Sequence, residues 1–102
     1  MKRGDVVIVE FPYVDGRRGK NRPALIVQND RDNERLTNTI VTMISGNIRN
    51  AAEPTQMLID PSNSEGSSSG LHGLSVVKCN NLFTIARQDI LRNIGNLSQQ
   101  LM

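Results

Sequence analysis

The sequence contains little of what metal and redox sites are built from. Its 102 residues include one cysteine (Cys79), one histidine, no tryptophan and three aromatic residues in all. A lone cysteine excludes an internal disulfide framework and suits a reducing compartment, so we expect a cytoplasmic protein. Because Cys79 lies in a strand-like run, we expect its thiol to be buried and structural. One histidine and one cysteine offer no ligand spacing for zinc, and we expect neither a metal nor a cofactor. Three aromatics are too few for the stacking platform of RNA-binding sheets.

Long apolar runs and nucleotide-binding fingerprints are also missing. The apolar run of residues 6–9 is flanked by Asp5 and Glu10 and is too short for a signal peptide. No stretch approaches the ~20 apolar residues of a transmembrane helix. Gly16 and Gly19 match neither a P-loop nor a dinucleotide-binding pattern. The length predicts one domain over residues 1–102.

What the sequence does have is an uneven distribution of charge. Residues 1–51 contain nine Lys/Arg and six Asp/Glu, whereas residues 52–102 contain three and four. The positive excess is concentrated in one Gly-containing loop, at Arg17, Arg18, Lys20 and Arg22. A local basic patch favours a polyanion as the partner, although short basic runs are often only solvated surface.

Short β-branched segments separated by turn signals predict a mainly β fold. The predicted strands are residues 3–11, 24–27, 39–45, 55–60, 74–81 and 82–86, with a kink between the last two. Residues 13–22 and the Ser/Gly-rich residues 61–73 are predicted loops, and residues 87–92 one helical turn. The pattern favours a small barrel or sandwich over alternating β and α units.

Arg22 is the first candidate functional residue. Pro23 restricts Arg22 to extended geometry, so the arginine is expected at the entrance of the second strand. A guanidinium carries five donors in a rigid fork that suits phosphate. A structural alternative is an ion pair with a carboxylate such as Asp30. The residues alone do not separate the two interpretations.

Three further side chains, two hydroxyls and one imidazole, are considered for a catalytic role. Ser45 ends the third strand, where it could donate to a bound group or simply serve the turn that Gly46 and Asn47 begin. Thr42 is the reserve candidate, but it stands an odd number of residues away and should face the other side of a regular strand. His72 lies in the predicted loop with no nucleophile-elbow sequence near it, which favours a solvated residue over a base.

Several segments together resemble the MazF/PemK toxin family. They are "KRGDVVIVEFP", "NRPALIVQND", "TIVTMISG", "EPTQMLID" and "GLSVVKCNNLFTI", in that order, and the resemblance covers residues 2–97. Its most specific element is "RPALIVQND". The resemblance implies an SH3-like β-barrel that forms a homodimer and is the toxin of a type II toxin–antitoxin pair. Members cleave single-stranded RNA at short sequence motifs without metal, and an antitoxin protein silences them.

The resemblance also assigns site residues. The family's "RP" arginine falls on Arg22 and its hydroxyl residue at the end of the third strand falls on Ser45, which makes these two the predicted catalytic residues. The predicted RNA-binding residues are Arg17, Arg18, Lys20, Arg49, Lys78 and Asn80. Attack by the ribose 2′-OH builds charge on the phosphate that a guanidinium and a hydroxyl can stabilise. Operator DNA is an expected partner only in complex with the antitoxin.

The chain departs from the family pattern at three places. Asn80 stands where some members carry an acidic residue, and Phe83 stands where many carry arginine. Members usually continue through a C-terminal helix, which we expect this chain to lack after residue 97. These departures keep open a weak or inactive barrel that only binds an antitoxin. A gyrase-poisoning toxin of related fold is a further alternative that Arg22 disfavours, and a DNA-binding repressor lacks a helix-turn-helix pattern.

Overall fold

Six strands form one antiparallel sheet in the part of the chain that is described. This computed structural model describes residues 1–11, 20–46, 56–63 and 66–97. The strands are β1 (Asp5–Phe11), β2 (Lys20–Ile26), β3 (Asn38–Ser45), β4 (Gln56–Ile59), β5 (Ser75–Ala86) and β6 (Ile90–Asn96). Their order in the sheet is β4-β5-β3-β2-β1-β6. The predicted mainly β class is confirmed, and β1, β3 and β4 lie where the sequence predicts them.

The sheet has a buried cluster of apolar side chains on each side, and strand alternation explains these two cores. Successive residues of a strand face opposite sides, so Val6 and Val7 of β1 enter different clusters. One cluster defines the Leu25 face of the sheet: Val6, Leu25, Ile44, Ile59, Val77 and Leu97. The other defines the Ala24 face: Val7, Val9, Ala24, Ile26 and Val41. All of these side chains are at most 5% exposed, which accounts for the near-continuous apolar run in β1.

The second strand begins earlier than the sequence predicts. β2 starts at Lys20 rather than at Ala24, because it pairs with β1 along its whole length, from Phe11 opposite Lys20 to Val6 opposite Leu25. Pro23 is accommodated inside the strand because the pairs between β2 and β3 begin only at Ala24. A proline, which lacks an N–H donor, is tolerated where one side of a strand has no ladder partner.

A short helix, α1 (Asp30–Arg35), lies in the polar segment that the sequence left unassigned. Asn29 caps it, since its side-chain oxygen accepts from the Asp32 amide at 2.9 Å. Hydrogen bonds from Arg35 and Asn29 hold the pKa of the Asp32 carboxyl below its ordinary value. The buried Asn33 ties the helix to the sheet, because its side-chain oxygen accepts from the Thr39 hydroxyl of β3 at 2.7 Å.

The last strand corrects another prediction. Residues 87–92 are not one helical turn: a 3₁₀ turn covers only Arg87–Asp89, and Ile90 begins β6. β6 pairs with β1, which supplies the hydrogen-bonding partner that a local sequence window does not contain. The Arg87 guanidinium donates to the carbonyl of Asn33, so the same turn also holds the end of α1.

The Ser/Gly-rich segment packs closely over β6. Its 3₁₀ turn, Ser67–Ser69, lies so near Gly95 that a Cβ there would stand 2.3 Å from the Ser68 carbonyl oxygen. The Ser68 hydroxyl also donates to the Asn96 carbonyl at 2.8 Å. The described part of the predicted loop is therefore fixed onto the sheet.

Among the described residues, no helix has the length and apolar character needed to cross a membrane.

Candidate active site

The backbone of Arg22 is held in place by strand pairing. Arg22 is the third residue of β2, not the residue before the strand, and it lies opposite Val9 of β1. Its side chain is half-buried. Because Arg22 has the same parity as Ala24 and Ile26, it belongs to the Ala24 face of the sheet.

Ser45 occupies the corresponding end of the neighbouring strand. It is the last residue of β3 and is half-buried. The β2–β3 ladder pairs Leu25 with Thr42 and Ala24 with Met43. The ladder does not extend beyond Ala24 and Met43, but strand alternation places Arg22 and Ser45 on the same face as these two residues. The sheet thus carries a guanidinium and a hydroxyl at one end and on one face.

Thr42, the reserve candidate, belongs to the opposite face. It pairs with Leu25, is 1% exposed, and donates its hydroxyl to the Lys78 carbonyl oxygen at 2.5 Å. That hydroxyl is therefore already used inside the protein, and Thr42 does not share a face with Arg22. The expectation that Thr42 and Ser45 face opposite sides is confirmed.

The structural alternative for Arg22 finds no support in the described residues. Asp30, its suggested partner, accepts a hydrogen bond from the Arg3 backbone amide at 2.6 Å instead. No ion pair joins Arg22 to a carboxylate within residues 1–11, 20–46, 56–63 and 66–97.

Lys78 is an RNA-binding candidate that the register brings close to Ser45. Ser45 pairs with Val76 of β5, and the β4–β5 ladder is regular from Ser75 to Lys78. Lys78 therefore lies two residues along from the partner of Ser45, on the same face. Diagonal neighbours of this kind have side chains about 7–8 Å apart, within reach of a long side chain. The half-buried Lys78 adds a second positive charge to this end of the Ala24 face.

For two further candidates the structure describes the backbone. The backbone of Lys20 begins β2 and that of Asn80 lies in β5. Arg17, Arg18 and Arg49 lie outside the described residues, as does most of the predicted loop of residues 13–22. His72 is exposed, as expected, and stands beside Asp60 around an open surface depression.

No pattern in the sequence predicts the small groove on the Leu25 face. The prediction that the Cys79 thiol is buried is wrong. The thiol is exposed rather than buried. It borders a groove of about 250 Å³ whose other lining residues include Met57, Val77 and Leu82. Near Cys79, β5 departs from its regular pairing with β3. No local sequence pattern predicts this irregularity. Among the described residues, no three His, Cys, Asp or Glu side chains are grouped as metal ligands would be.

Comparison with known proteins identifies the family of the chain. A family model described as "PemK-like, MazF-like toxin of type II toxin-antitoxin system" matches residues 2–102. The chain is 32% identical over 103 residues to Endoribonuclease EndoA of Bacillus subtilis (strain 168), covering all of this chain and 84% of that protein. It is 40% identical over 63 residues to Endoribonuclease MazF of Staphylococcus saprophyticus, covering 61% of this chain and 52% of that one.

Solved structures share the fold. The Mycobacterium tuberculosis toxin MazF-mt6 superposes with a TM-score of 0.73 at 31% identity, over 95% of this chain and 83% of that one. An endoribonuclease from a mycobacterial species, solved in complex with its cognate antitoxin, gives a TM-score of 0.78 at 22% identity, over 100% and 84% of the two chains. The resemblance seen in the sequence is confirmed: the chain belongs to the PemK-like, MazF-like family of type II toxin–antitoxin toxins.

Proposed function

We propose that this protein is an endoribonuclease toxin that cleaves single-stranded mRNA at selected sequences without a metal ion. The observation that supports the proposal is that Arg22 of β2 and Ser45 of the neighbouring β3 belong, by strand alternation, to the same Ala24 face, in a chain whose family relatives are named endoribonucleases. A rigid cationic fork beside a hydroxyl is an arrangement that binds and stabilises a phosphate.

The proposed reaction begins with the ribose 2′-OH of the substrate. The 2′-OH gives up its proton as its oxygen attacks the adjacent phosphorus, the bond from phosphorus to the 5′ oxygen breaks, and that oxygen takes up a proton, so that no net proton is consumed. The products are a 2′,3′-cyclic phosphate and a 5′-OH. Negative charge grows on the phosphoryl oxygens during the attack, and the Arg22 fork and the Ser45 hydroxyl stabilise it. Fixed donors aimed at developing charge are commonly the largest contribution to catalysis.

Arg22 acts through its charge rather than as a base. An arginine side chain already carries its proton at neutral pH, so it does not remove one from the substrate. Arg22 is better suited to donate a hydrogen bond to the leaving 5′ oxygen late in the reaction. Asn80 is not the base either, because a carboxamide does not take up a proton in this pH range.

The remaining basic residues provide the grip on the RNA. Lys78 shares the face of Ser45, and we assign Arg17, Arg18, Lys20, Arg49 and Asn80 to contacts with neighbouring nucleotides. Binding through phosphates releases counterions, so affinity should fall steeply as salt is added.

The partners follow from the same assignment. A mycobacterial structural relative is described as bound to its cognate antitoxin, and we propose that this chain is likewise held inactive by an antitoxin protein. We further propose that it works in the cytoplasm as a homodimer and contacts operator DNA only together with the antitoxin.

One experiment tests the proposed function directly. The purified chain is incubated with a mixed-sequence RNA in EDTA, beside an Arg22→Ala/Ser45→Ala double variant purified in the same way. We expect discrete cleavage products from the wild type and none from the double variant. Equal cleavage by both would indicate a contaminating nuclease. No cleavage by the wild type, together with tight binding to an antitoxin, would favour the inactive antitoxin-binding barrel.

A further inference from the structure

β5 carries extra residues where it passes Met43 of β3, two residues from Ser45. Thr42 of β3 pairs with Leu82, and two residues later Ile44 pairs with Val77. One residue of β3, Met43, therefore stands against four of β5, residues 78–81. The additional residues form a bulge, a feature that often re-aims side chains beside functional sites.

The start of this bulge is held from two sides. On one side, Lys78 pairs with Gln56 of β4 in the last pair of that ladder. On the other, the Thr42 hydroxyl donates to the Lys78 carbonyl oxygen at 2.5 Å. Thr42 is 1% exposed, so water does not readily replace this donor. A part-buried carbonyl that loses its partner favours a different backbone position.

Lys78, whose backbone is held in this way, adds a positive charge to the candidate site. Lys78 lies on the Ala24 face, diagonal to Ser45, whereas Thr42 lies on the Leu25 face. We propose that Thr42 is a positioning residue, which acts through the Lys78 backbone to set the Lys78 ammonium beside Arg22 and Ser45. The inference rests on the proposed function, because it takes the Ala24 face to be where RNA binds.

A role of this kind predicts a particular kinetic signature. The Lys78 ammonium contacts a phosphate that is present in the bound substrate and in the transition state alike. Losing such a contact raises KM and leaves kcat nearly unchanged. Arg22 and Ser45, by contrast, face charge that appears only during the reaction, so their loss lowers kcat.

Two substitutions of Thr42 test the hydroxyl itself. Thr42→Val keeps the shape of the side chain and removes the donor, whereas Thr42→Ser keeps the donor. We expect KM for an RNA substrate about three- to tenfold higher in Thr42→Val, with kcat within about twofold, and near wild-type values in Thr42→Ser. Thr39→Val is the matched control: Thr39 is also a buried threonine of β3, but its hydroxyl donates to Asn33. It should lower stability without raising KM.

Lys78→Ala shows whether the effect passes through Lys78. In this background, Thr42→Val should raise KM no further, because the side chain that it displaces is already gone. An equal increase of KM in both backgrounds would overturn the inference, and so would an unchanged KM in Thr42→Val. A second measurement needs no RNA: amide hydrogen exchange at residues 79–81 should quicken in Thr42→Val but not in Thr42→Ser, and unchanged exchange would contradict the role of the hydroxyl.

The two proposals fail in different ways. A wild-type chain that neither cleaves nor binds RNA would refute the proposed function, and this inference with it. A wild-type chain that cleaves RNA normally, while Thr42→Val behaves like wild type, would refute the inference alone.

Discussion

Val9 of β1 lies directly opposite Arg22 of β2, and Val9 has no solvent-exposed surface. The backbone that carries the proposed catalytic arginine is therefore paired to a strand at the centre of the Ala24-face core. Such an anchor limits the movement of the guanidinium, which is what a fixed charge needs in order to stabilise a transition state.

Replacing Arg22 should abolish most cleavage without unfolding the protein. We expect Arg22→Ala to lower the cleavage rate by about 10²–10³-fold, the usual cost of losing one preorganised donor. Arg22→Lys should recover little, because it keeps the charge but not the fork. The measurement is kcat on a defined RNA, with circular dichroism to verify the fold. Arg35→Ala is the matched control, since that arginine is exposed on α1 and paired with Asp32. An unchanged rate in Arg22→Ala would end its catalytic assignment.

Ser45→Ala should also lower kcat, because the hydroxyl is the second donor at this end of the Ala24 face. Ser45→Thr keeps the hydroxyl and should retain much of the activity. Single-turnover rates at saturating enzyme separate this effect from weaker binding. If Ser45→Ala keeps the full rate while Thr42→Val lowers kcat rather than raising KM, the hydroxyl that matters chemically is Thr42, three residues away.

The nucleophile can be identified from the substrate. Replacing the single ribose at the cleavage site by deoxyribose should stop cleavage there, while binding persists. We expect the logarithm of the binding constant to fall with the logarithm of salt concentration, with a slope of about −0.7 per phosphate contacted. Cleavage of the deoxy-substituted RNA, or a strict need for magnesium, would show that water or a metal-bound hydroxide attacks instead.

Gly95 should be essential for stability and not for chemistry. A Cβ there would lie 2.3 Å from the Ser68 carbonyl oxygen, so Gly95→Ala must displace the 3₁₀ turn. We expect a loss of about 1–3 kcal/mol, as is typical of overpacking. Gly73→Ala is the control, because a Cβ at Gly73 meets nothing within 4 Å. Urea unfolding at fixed pH measures both variants; equal stability of the two would mean that the turn yields without cost.

The sequence predicts the elements whose cause is local. β1, β3 and β4 are short β-branched or alternating runs bounded by turn residues, and such runs fix their own faces through period-two alternation. That rule alone separates Thr42 from Ser45. The family resemblance supplied the pairing of Arg22 with Ser45, and the observed register is compatible with it.

The elements that were missed depend on partners distant in the sequence. α1 has no apolar periodicity, and it is held by the bond from Thr39 to Asn33 and by Arg87, 54 residues from Asn33. β6 forms as an added strand on β1. The sequence predicts Lys78 as a candidate but not its position diagonal to Ser45. That position depends on the three-residue shift in β5, which a local sequence window does not reveal.

The bulge in β5 separates two lengths of regular ladder, one ending at Val77 and the other beginning at Leu82. Residues inserted or deleted between these two points would change the length of the bulge without shifting the register of the buried Val77 or of Leu82. The length of this segment can therefore change, in evolution or by redesign, while the two ladders and the hydrophobic interior stay the same.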